Sequence, residues 1–181
     1  TRAAPTAAKE AAAPERGVSP NPSMIGPDKP NIPGGTPSEA GPPPSVENAY
    51  GKSWGVCIGI DAYDHWPALS VAARDAGTVK SALEKSKFDR VHLLTDKQAT
   101  RKAIESLLGE ELPAAVGSND RVVVYFSGHG STVKTRSGAD KGFIIPADCP
   151  ASDYFSSAIS MSRIREIAQM IPAKHTLFVF D

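Results

Sequence analysis

The sequence predicts an α/β protein whose sheet is mostly parallel and carries helices on both faces. Short apolar runs typical of strands alternate with segments of helical periodicity. The run 121–126 is almost continuously β-branched or aromatic, as expected for a strand that is covered on both faces. Because strands that alternate with helices form right-handed βαβ crossovers, we predict a parallel sheet.

The predicted elements follow one another along the second part of the chain. An apolar run at 54–60 predicts the first strand, and apolar residues at helical spacing over 69–83 predict a helix capped by Ser70. Then come a strand at 90–95, a helix that Thr100 caps and that ends near Pro113, the strand 121–126, a short strand at 143–145, a helix at 160–170 and a buried strand at 176–180. Residues 131–141, rich in Gly, Ser and Thr, are expected to form an exposed loop.

Residues 1–48 differ from the rest in composition. They contain 11 of the 16 prolines and no aromatic residue, so they cannot bury enough apolar surface to offset the entropy of ordering. We predict a disordered tail or linker at 1–48, with a proline-rich docking site as the alternative reading, and a folded domain at 49–181.

Charge and cysteine content exclude several classes of protein. Lys+Arg and Asp+Glu are both 20, so no nucleic-acid partner is expected, and no apolar run approaches the roughly 20 residues that span a bilayer. Two cysteines, Cys57 and Cys149, are too few for a disulfide framework or a Cys-rich zinc site. Cys57 lies inside an apolar run, where we expect a buried small hydrophobic residue. This usage fits a reducing compartment, and we expect a cytoplasmic location, with a signal peptide upstream of Thr1 as the open alternative.

His129 is the candidate catalytic base. It follows the strand 121–126 and stands between Gly128 and Gly130, which leave its surroundings free of side chains. In an open α/β sheet ligands bind beyond the carboxyl ends of the strands, which is where this imidazole is expected. An ordinary structural histidine is the alternative.

Several motifs occur in an order that is similar to a known family. They are the first strand with Asp61-Ala62-Tyr63, the helix start Leu69-Ser70-Val71-Ala72-Ala73-Arg74-Asp75, Leu94-Thr95-Asp96, Tyr125-Phe126-Ser127-Gly128-His129-Gly130, Ile145-Pro146-Ala147-Asp148 and the closing Leu177-Phe178-Val179-Phe180-Asp181. Together they resemble the caspase-like cysteine peptidases, most closely metacaspases and their bacterial relatives. The resemblance covers about 53–181 and implies a three-layer caspase-like fold, incomplete at its C-terminal end.

The resemblance implies a Cys–His dyad. His129 takes the imidazole role, and the backbone N–H of Gly130 helps to stabilise the oxyanion. The family's nucleophile lies in an Asp-x-Cys pattern after the last strand, so it is expected two residues beyond Asp181. Neither Cys57 nor Cys149 matches that place. We therefore expect a cysteine endopeptidase whose residues 1–181 carry the histidine without the cysteine and are inactive alone.

The resemblance also implies cleavage after Arg or Lys, with Asp75 and Asp181 as the acids that bind the basic side chain. The alternative for Asp75 is compensation of a helix dipole, and Arg74 beside it is a departure that weakens the pocket if the two pair. Expected partners are protein or peptide substrates with basic residues, and the loop 131–141 is the candidate site of self-processing. No cofactor is implied, and no metal, since residues 156–161 lack the carboxylates that a calcium site needs.

Two other classes compete with the peptidase. A non-catalytic caspase-like pseudoenzyme, acting as a scaffold or regulator, differs only in lacking the cysteine after Asp181. An unrelated flavodoxin-like binding domain needs a Gly-rich phosphate turn after the first strand. The residues there, 61–64, are acidic and contain no glycine, which disfavours that class.

Overall fold

Four parallel strands form the main sheet. The computed structural model describes residues 49–181, and the tail predicted at 1–48 lies outside the described residues. The strands stand in the order β2 (Arg90–Thr95), β1 (Ser53–Gly59), β3 (Arg121–Ser127) and β7 (His175–Phe180). Every neighbouring pair is parallel, which confirms the predicted sheet.

Helices cover both faces of this sheet, as the sequence predicted. They are α1 (Ala72–Lys85), α2 (Arg101–Ser106), α3 (Leu112–Ala115) and α5 (Met161–Met170). A further short helix, α4 (Tyr154–Ser157), packs against Phe143 instead. Successive side chains of a strand point to opposite faces. On one face Cys57 of β1 packs with Ala76 of α1, and on the other Val56 belongs to the larger core that includes Ile104 of α2 and Ile167 of α5. The result is a three-layer α/β fold.

The helical stretch between β2 and β3 is continuous but changes its winding. A π-helical turn at Leu107–Glu111 separates α2 from α3. Pro113 explains the wider turn, because it has no N–H to donate to the carbonyl of Gly109 and its ring would clash with that carbonyl in an α-helix. The predicted cap is confirmed, since the Thr100 side chain accepts a hydrogen bond from the Ala103 N–H at 3.2 Å.

A second, smaller sheet corrects one prediction. Residues 131–141 were expected to form a loop, but they belong to a hairpin of β4 (Gly130–Lys134) and β5 (Asp140–Ile144). These strands and β6 (Ile159–Ser160) pair antiparallel in the order β4-β5-β6. The turn is closed at Gly138, whose φ of 83° lies in the left-handed region that glycine adopts without strain.

The start of α1 corrects a second prediction. The helix begins at Ala72 rather than near residue 69, and its N-cap, Val71, makes no side-chain capping bond. The carboxylate of Asp61 takes the place expected for Ser70, because it accepts hydrogen bonds from the N–H groups of Ala72 at 2.8 Å and Ala73 at 3.3 Å. The end of β1 is thereby tied to the start of α1.

Candidate active site

His129 lies at the carboxyl edge of the main sheet, where β3 ends and β4 begins. The turn requires a glycine at residue 128, since a Cβ there would be 2.6 Å from the hydroxyl oxygen of Tyr63. That hydroxyl accepts a hydrogen bond from the backbone N–H of His129 at 2.8 Å. Burial raises the pKa of Tyr63 to about 12, so the phenol stays neutral at ordinary pH.

The imidazole of His129 is held in one orientation. Its Nε2 lies 2.8 Å from the carbonyl oxygen of Pro67. A carbonyl only accepts hydrogen bonds, so Nε2 carries the proton and the neutral ring has its lone pair at Nδ1. The rings of Tyr63 and Trp66 pack against the imidazole with centroid distances of 4.8 and 5.7 Å. The contacts leave Nδ1 as the basic atom.

The backbone N–H of Gly130 is directed away from the hairpin. Gly130 stands opposite Ile144 in the antiparallel register, and the Ile145 N–H donates to the His129 carbonyl at 3.0 Å. This pattern makes Gly130 and Ile144 a pair that exchanges no ladder hydrogen bonds. The Gly130 N–H therefore faces the open edge of β4, beside the imidazole.

A cavity of about 410 Å³ brings the two candidate pocket acids together. Asp75, from the first turn of α1, and Asp181, directly after β7, both line it. Ser127 and Gly128, the two residues before His129, line it as well. The remaining wall comes from the segment that leads into α1 (Ala68, Leu69, Ser70, Val71 and Ala72).

The two acids have different local partners. The Tyr125 hydroxyl donates a hydrogen bond to Oδ2 of Asp181 at 2.9 Å, and the Asp181 N–H donates to the Phe126 carbonyl at 2.9 Å. The Nε of Arg74 lies 3.7 Å from Oδ1 of Asp75, with the Arg74 side chain 73% exposed. The ion pair considered from the sequence is therefore present, but it is an exposed one of little strength.

A second cavity, of about 360 Å³, adjoins the first and is mostly apolar. The two share Gly128 and Asp181, and the second is lined by Gly130 as well. Its apolar wall comes from both sheets and from α5 (Phe126, Phe143, Ile144, Met161 and Phe180). An acidic cavity and an apolar one thus adjoin at Gly128 and Asp181.

Neither cysteine has the surroundings of a nucleophile. Cys57 is fully buried in the middle of β1, and burial raises the pKa of its thiol to about 11. Cys149 is buried with Phe143, Ile145 and Ala158, and burial and then the charge of Asp148 raise its pKa. Both therefore remain thiols at neutral pH, and the expectation of a buried Cys57 is confirmed.

The sequence missed the residues that hold the site together. The Tyr63 hydroxyl and the Pro67 carbonyl hold His129, and the Tyr125 hydroxyl holds Asp181. None of these three residues was singled out for its role. One signal pointed to Tyr63 and Pro67. They follow the carboxyl end of β1, next to β3 in the sheet, so they share an edge with His129.

The caspase domain model matches residues 52–181. The chain belongs to the caspase domain family. The match covers the two sheets and all five helices. It makes this a member of a cysteine peptidase family, and it confirms the resemblance to caspase-like cysteine peptidases that the ordered motifs indicated.

A solved structure supports the caspase domain's fold. The crystal structure of protein GSU0716 from Geobacter sulfurreducens aligns with a TM-score of 0.60 at 20% sequence identity, and the alignment covers 72% of this chain and 50% of that one. The chain thus spans half the length of that protein, and at this identity the likeness concerns the fold alone. The comparison with curated proteins found no match.

Two further findings concern membrane-spanning helices and metal sites in residues 49–181. None of the helices in this part of the chain has the length and apolar character needed to cross a membrane. Over the same residues, no group of three or more His, Cys, Asp or Glu side chains is placed to hold a metal ion.

Proposed function

We propose that this caspase domain belongs to a cysteine endopeptidase closest to metacaspases, which uses a Cys–His dyad and cleaves proteins after Arg or Lys. One observation carries the proposal. Within residues 49–181, the imidazole of His129 has an Nδ1 without a partner and the N–H of Gly130 faces away from the hairpin, and both stand at the same sheet edge as a cavity that two carboxylates line. These are the parts that base catalysis, oxyanion stabilisation and recognition of a basic side chain require.

The dyad would work through the imidazole that Pro67 orients. Nδ1 of His129 takes the proton of the cysteine thiol, and the thiolate attacks the scissile carbonyl. The imidazolium then gives this proton to the leaving amine. The Gly130 N–H donates to the oxygen on which negative charge develops. Because Nε2 is already bonded to the Pro67 carbonyl, the ring does not have to reorient between the two proton transfers.

The acidic cavity would hold the substrate's basic side chain. A guanidinium donates parallel hydrogen bonds in a plane, and Asp75 and Asp181 line one recess. The position of Asp75 in the first turn of α1 also allows the dipole role considered from the sequence. The two roles are compatible, because a carboxylate in the first turn can accept from a ligand as well.

The nucleophile is proposed to come from the residue two positions after Asp181. Cys57 is enclosed in the core, and Cys149 is buried in a separate apolar cluster. We therefore propose that residues 1–181 alone do not cleave peptides. Peptidase activity of this fragment that disappears on Cys149→Ala would contradict this part of the proposal.

Self-processing is proposed only at the tip of the hairpin. Lys134 and Lys141 lie within the paired strands β4 and β5, and Lys134 also pairs with Asp140 at 3.2 Å. A protease needs an extended segment free of other pairing. Arg136, in the turn between the strands, is the basic residue of this segment that meets that condition.

The test is cleavage by the natural polypeptide that contains this chain. Peptides that differ only in Arg, Lys, Gln or Asp before the scissile bond should be cleaved after Arg and Lys alone. His129→Ala should abolish cleavage, and Asp75→Asn and Asp181→Asn should each lower kcat/KM for Arg at least ~100-fold, about the effect of removing a buried charge partner. Asp140→Asn, which removes an exposed hairpin carboxylate, is the matched control and should have no effect.

Three results would decide against the proposal. Cleavage that persists in His129→Ala would remove the dyad. Unchanged cleavage after Arg in both aspartate variants would remove the basic pocket. A residue other than cysteine two positions after Asp181, together with no cleavage, would favour a non-catalytic caspase-like scaffold.

A further inference from the structure

We infer that Tyr125 sets the preference of the acidic cavity for arginine over lysine by fixing Asp181 relative to Asp75. Tyr125 is a positioning residue in this inference, because its ring is buried in the sheet and its hydroxyl acts through Asp181. The inference rests on the basic pocket proposed above.

The first step is that Tyr125 joins the two elements that carry the acids. Its ring packs with Ala76 and Cys57 in the core between α1 and the sheet, and Ala76 is the residue after Asp75. Its hydroxyl donates to Oδ2 of Asp181 at 2.9 Å. One side chain therefore connects the helix that bears Asp75 with the carboxylate at the end of β7.

The second step is that the Tyr125 hydroxyl is a stable donor. Burial and then the hydrogen bond to Asp181 raise the pKa of Tyr125. A hydrogen bond from Ser127 lowers it, the charges of Asp181 and Asp75 raise it by less, and the net shift is upward. The phenol therefore keeps its proton at neutral pH. A protonated phenol beside a carboxylate donates to it, which occupies Oδ2 and leaves Oδ1 for a ligand.

The third step is that arginine and lysine respond differently to the spacing of the two acids. A guanidinium is planar and rigid, so it needs carboxylate oxygens at fixed positions, whereas an ammonium is a point charge with rotatable donors. If the Asp181 carboxylate loses its hydrogen bond from Tyr125, nothing fixes the rotation of that carboxylate. Arginine then loses more affinity than lysine.

The test uses ligand binding to residues 1–181, which needs no nucleophile. N-acetyl-arginine amide, N-acetyl-lysine amide and the neutral N-acetyl-citrulline amide are titrated into labelled protein, with the amide shifts of Ser127 and Gly128 as the readout. Wild type should bind the arginine ligand tightest and the citrulline ligand not measurably. Tyr125→Phe should weaken arginine binding about tenfold and lysine binding no more than about twofold.

Tyr50→Phe is the matched control, because the Tyr50 hydroxyl bonds Nδ1 of His175 at 3.0 Å, at the opposite end of β7. It should leave both affinities unchanged. Thermal unfolding of each variant shows whether it folds. A variant with 4-aminophenylalanine at position 125 keeps the ring and restores a donor, so it should recover the wild-type ratio of arginine to lysine affinity.

The outcomes separate this inference from the proposed pocket. If wild type does not bind the arginine ligand, the basic pocket is wrong and this inference falls with it. If Asp75→Asn and Asp181→Asn abolish binding but Tyr125→Phe keeps the wild-type ratio, the pocket stands and the role of Tyr125 is wrong. A failure of 4-aminophenylalanine to restore the ratio in a folded protein would also overturn that role.

Discussion

The hydroxyl oxygen of Tyr63 lies 2.8 Å from the backbone nitrogen of His129, and the two rings pack with centroids 4.8 Å apart. Tyr63, which follows the first strand, thus holds both the backbone and the side chain of the candidate base. Gly128 makes this contact possible, because any side chain at that position would meet the hydroxyl. The glycine before the histidine therefore has a packing reason.

Tyr63→Phe should loosen the loop that carries His129. The variant keeps the ring and removes the only acceptor of the His129 N–H that the structure gives in residues 49–181. We expect hydrogen exchange of this amide to become roughly tenfold faster, as for the loss of one intramolecular hydrogen bond. Residue-resolved exchange by NMR measures the change. Tyr154 also packs against Trp66, with centroids 5.7 Å apart, so Tyr154→Phe is the control and should leave the rate unaltered.

Two glycines near α1 should respond to alanine in opposite ways. A Cβ at Gly59 would lie 2.3 Å from the carbonyl oxygen of Ala72, so α1 would have to move away from β1. We expect Gly59→Ala to lower the free energy of unfolding by about 2–3 kcal/mol or more. At Gly77, inside α1, a Cβ would have no atom of another element within 4 Å, and Gly77→Ala should raise the free energy of unfolding by about 0.5–1 kcal/mol.

Denaturant unfolding monitored by tryptophan fluorescence measures both changes. A Gly59→Ala protein as stable as wild type would show that the close approach of β1 and α1 is not required. A destabilised Gly77→Ala protein would show that the exposed face of α1 is packed in solution.

The sequence predicted the fold and the place of His129 because both depend on local patterns. A buried strand that ends in Gly128-His129-Gly130 is readable from adjacent residues. The predicted pocket acids do line one cavity, and their placement came from the resemblance rather than from periodicity.

The errors arose where distant residues compete with local ones. Ser70 was the local candidate for the cap of α1, but the carboxylate of Asp61, eleven residues before Ala72, reaches the same N–H groups. The hairpin β4–β5 was missed because a strand rich in Gly, Ser and Thr has no strong apolar alternation. The contact between Tyr63 and His129 spans 66 residues and has no sequence pattern at all.

Asp120 should be among the most important polar residues for stability. Its buried carboxylate accepts hydrogen bonds from the N–H groups of Lys52 and Gly117, both at 2.8 Å, and from Nε1 of Trp54 at 2.9 Å. Asp120→Asn places an amide among these donors, and we expect a loss of about 3 kcal/mol in the free energy of unfolding. Asp140→Asn, at an exposed carboxylate, should change it by less than about 0.5 kcal/mol.

The same carboxylate should make stability sensitive to acid. Desolvation raises the pKa of Asp120, but the hydrogen bonds from Gly117, Trp54 and Lys52 outweigh it, and the pKa lies below its usual 3.8. A carboxylate with a depressed folded-state pKa stabilises the protein above the unfolded-state pKa, and this contribution is lost as the pH falls through the folded-state value. The free energy of unfolding, measured from about pH 7 to pH 2, should therefore decline less steeply below about pH 4 in Asp120→Asn than in wild type. Parallel curves would exclude this carboxylate as the cause.

Arg74 should lower the affinity of the acidic cavity for a basic ligand only slightly. It is the residue that made the pocket doubtful from the sequence, yet its Nε is 3.7 Å from Asp75 and its side chain is 73% exposed. Exposed ion pairs contribute at most about 1 kcal/mol, so Arg74→Gln should raise the affinity for N-acetyl-arginine amide by no more than about fivefold. The gain should shrink at about 0.5 M salt, where the exposed charge is screened.

Arg165→Gln, an exposed substitution on α5, is the control. A gain of roughly 50-fold or more, well beyond an exposed pair, would mean that Arg74 occupies the cavity in solution and that the pocket is closed until a substrate displaces it.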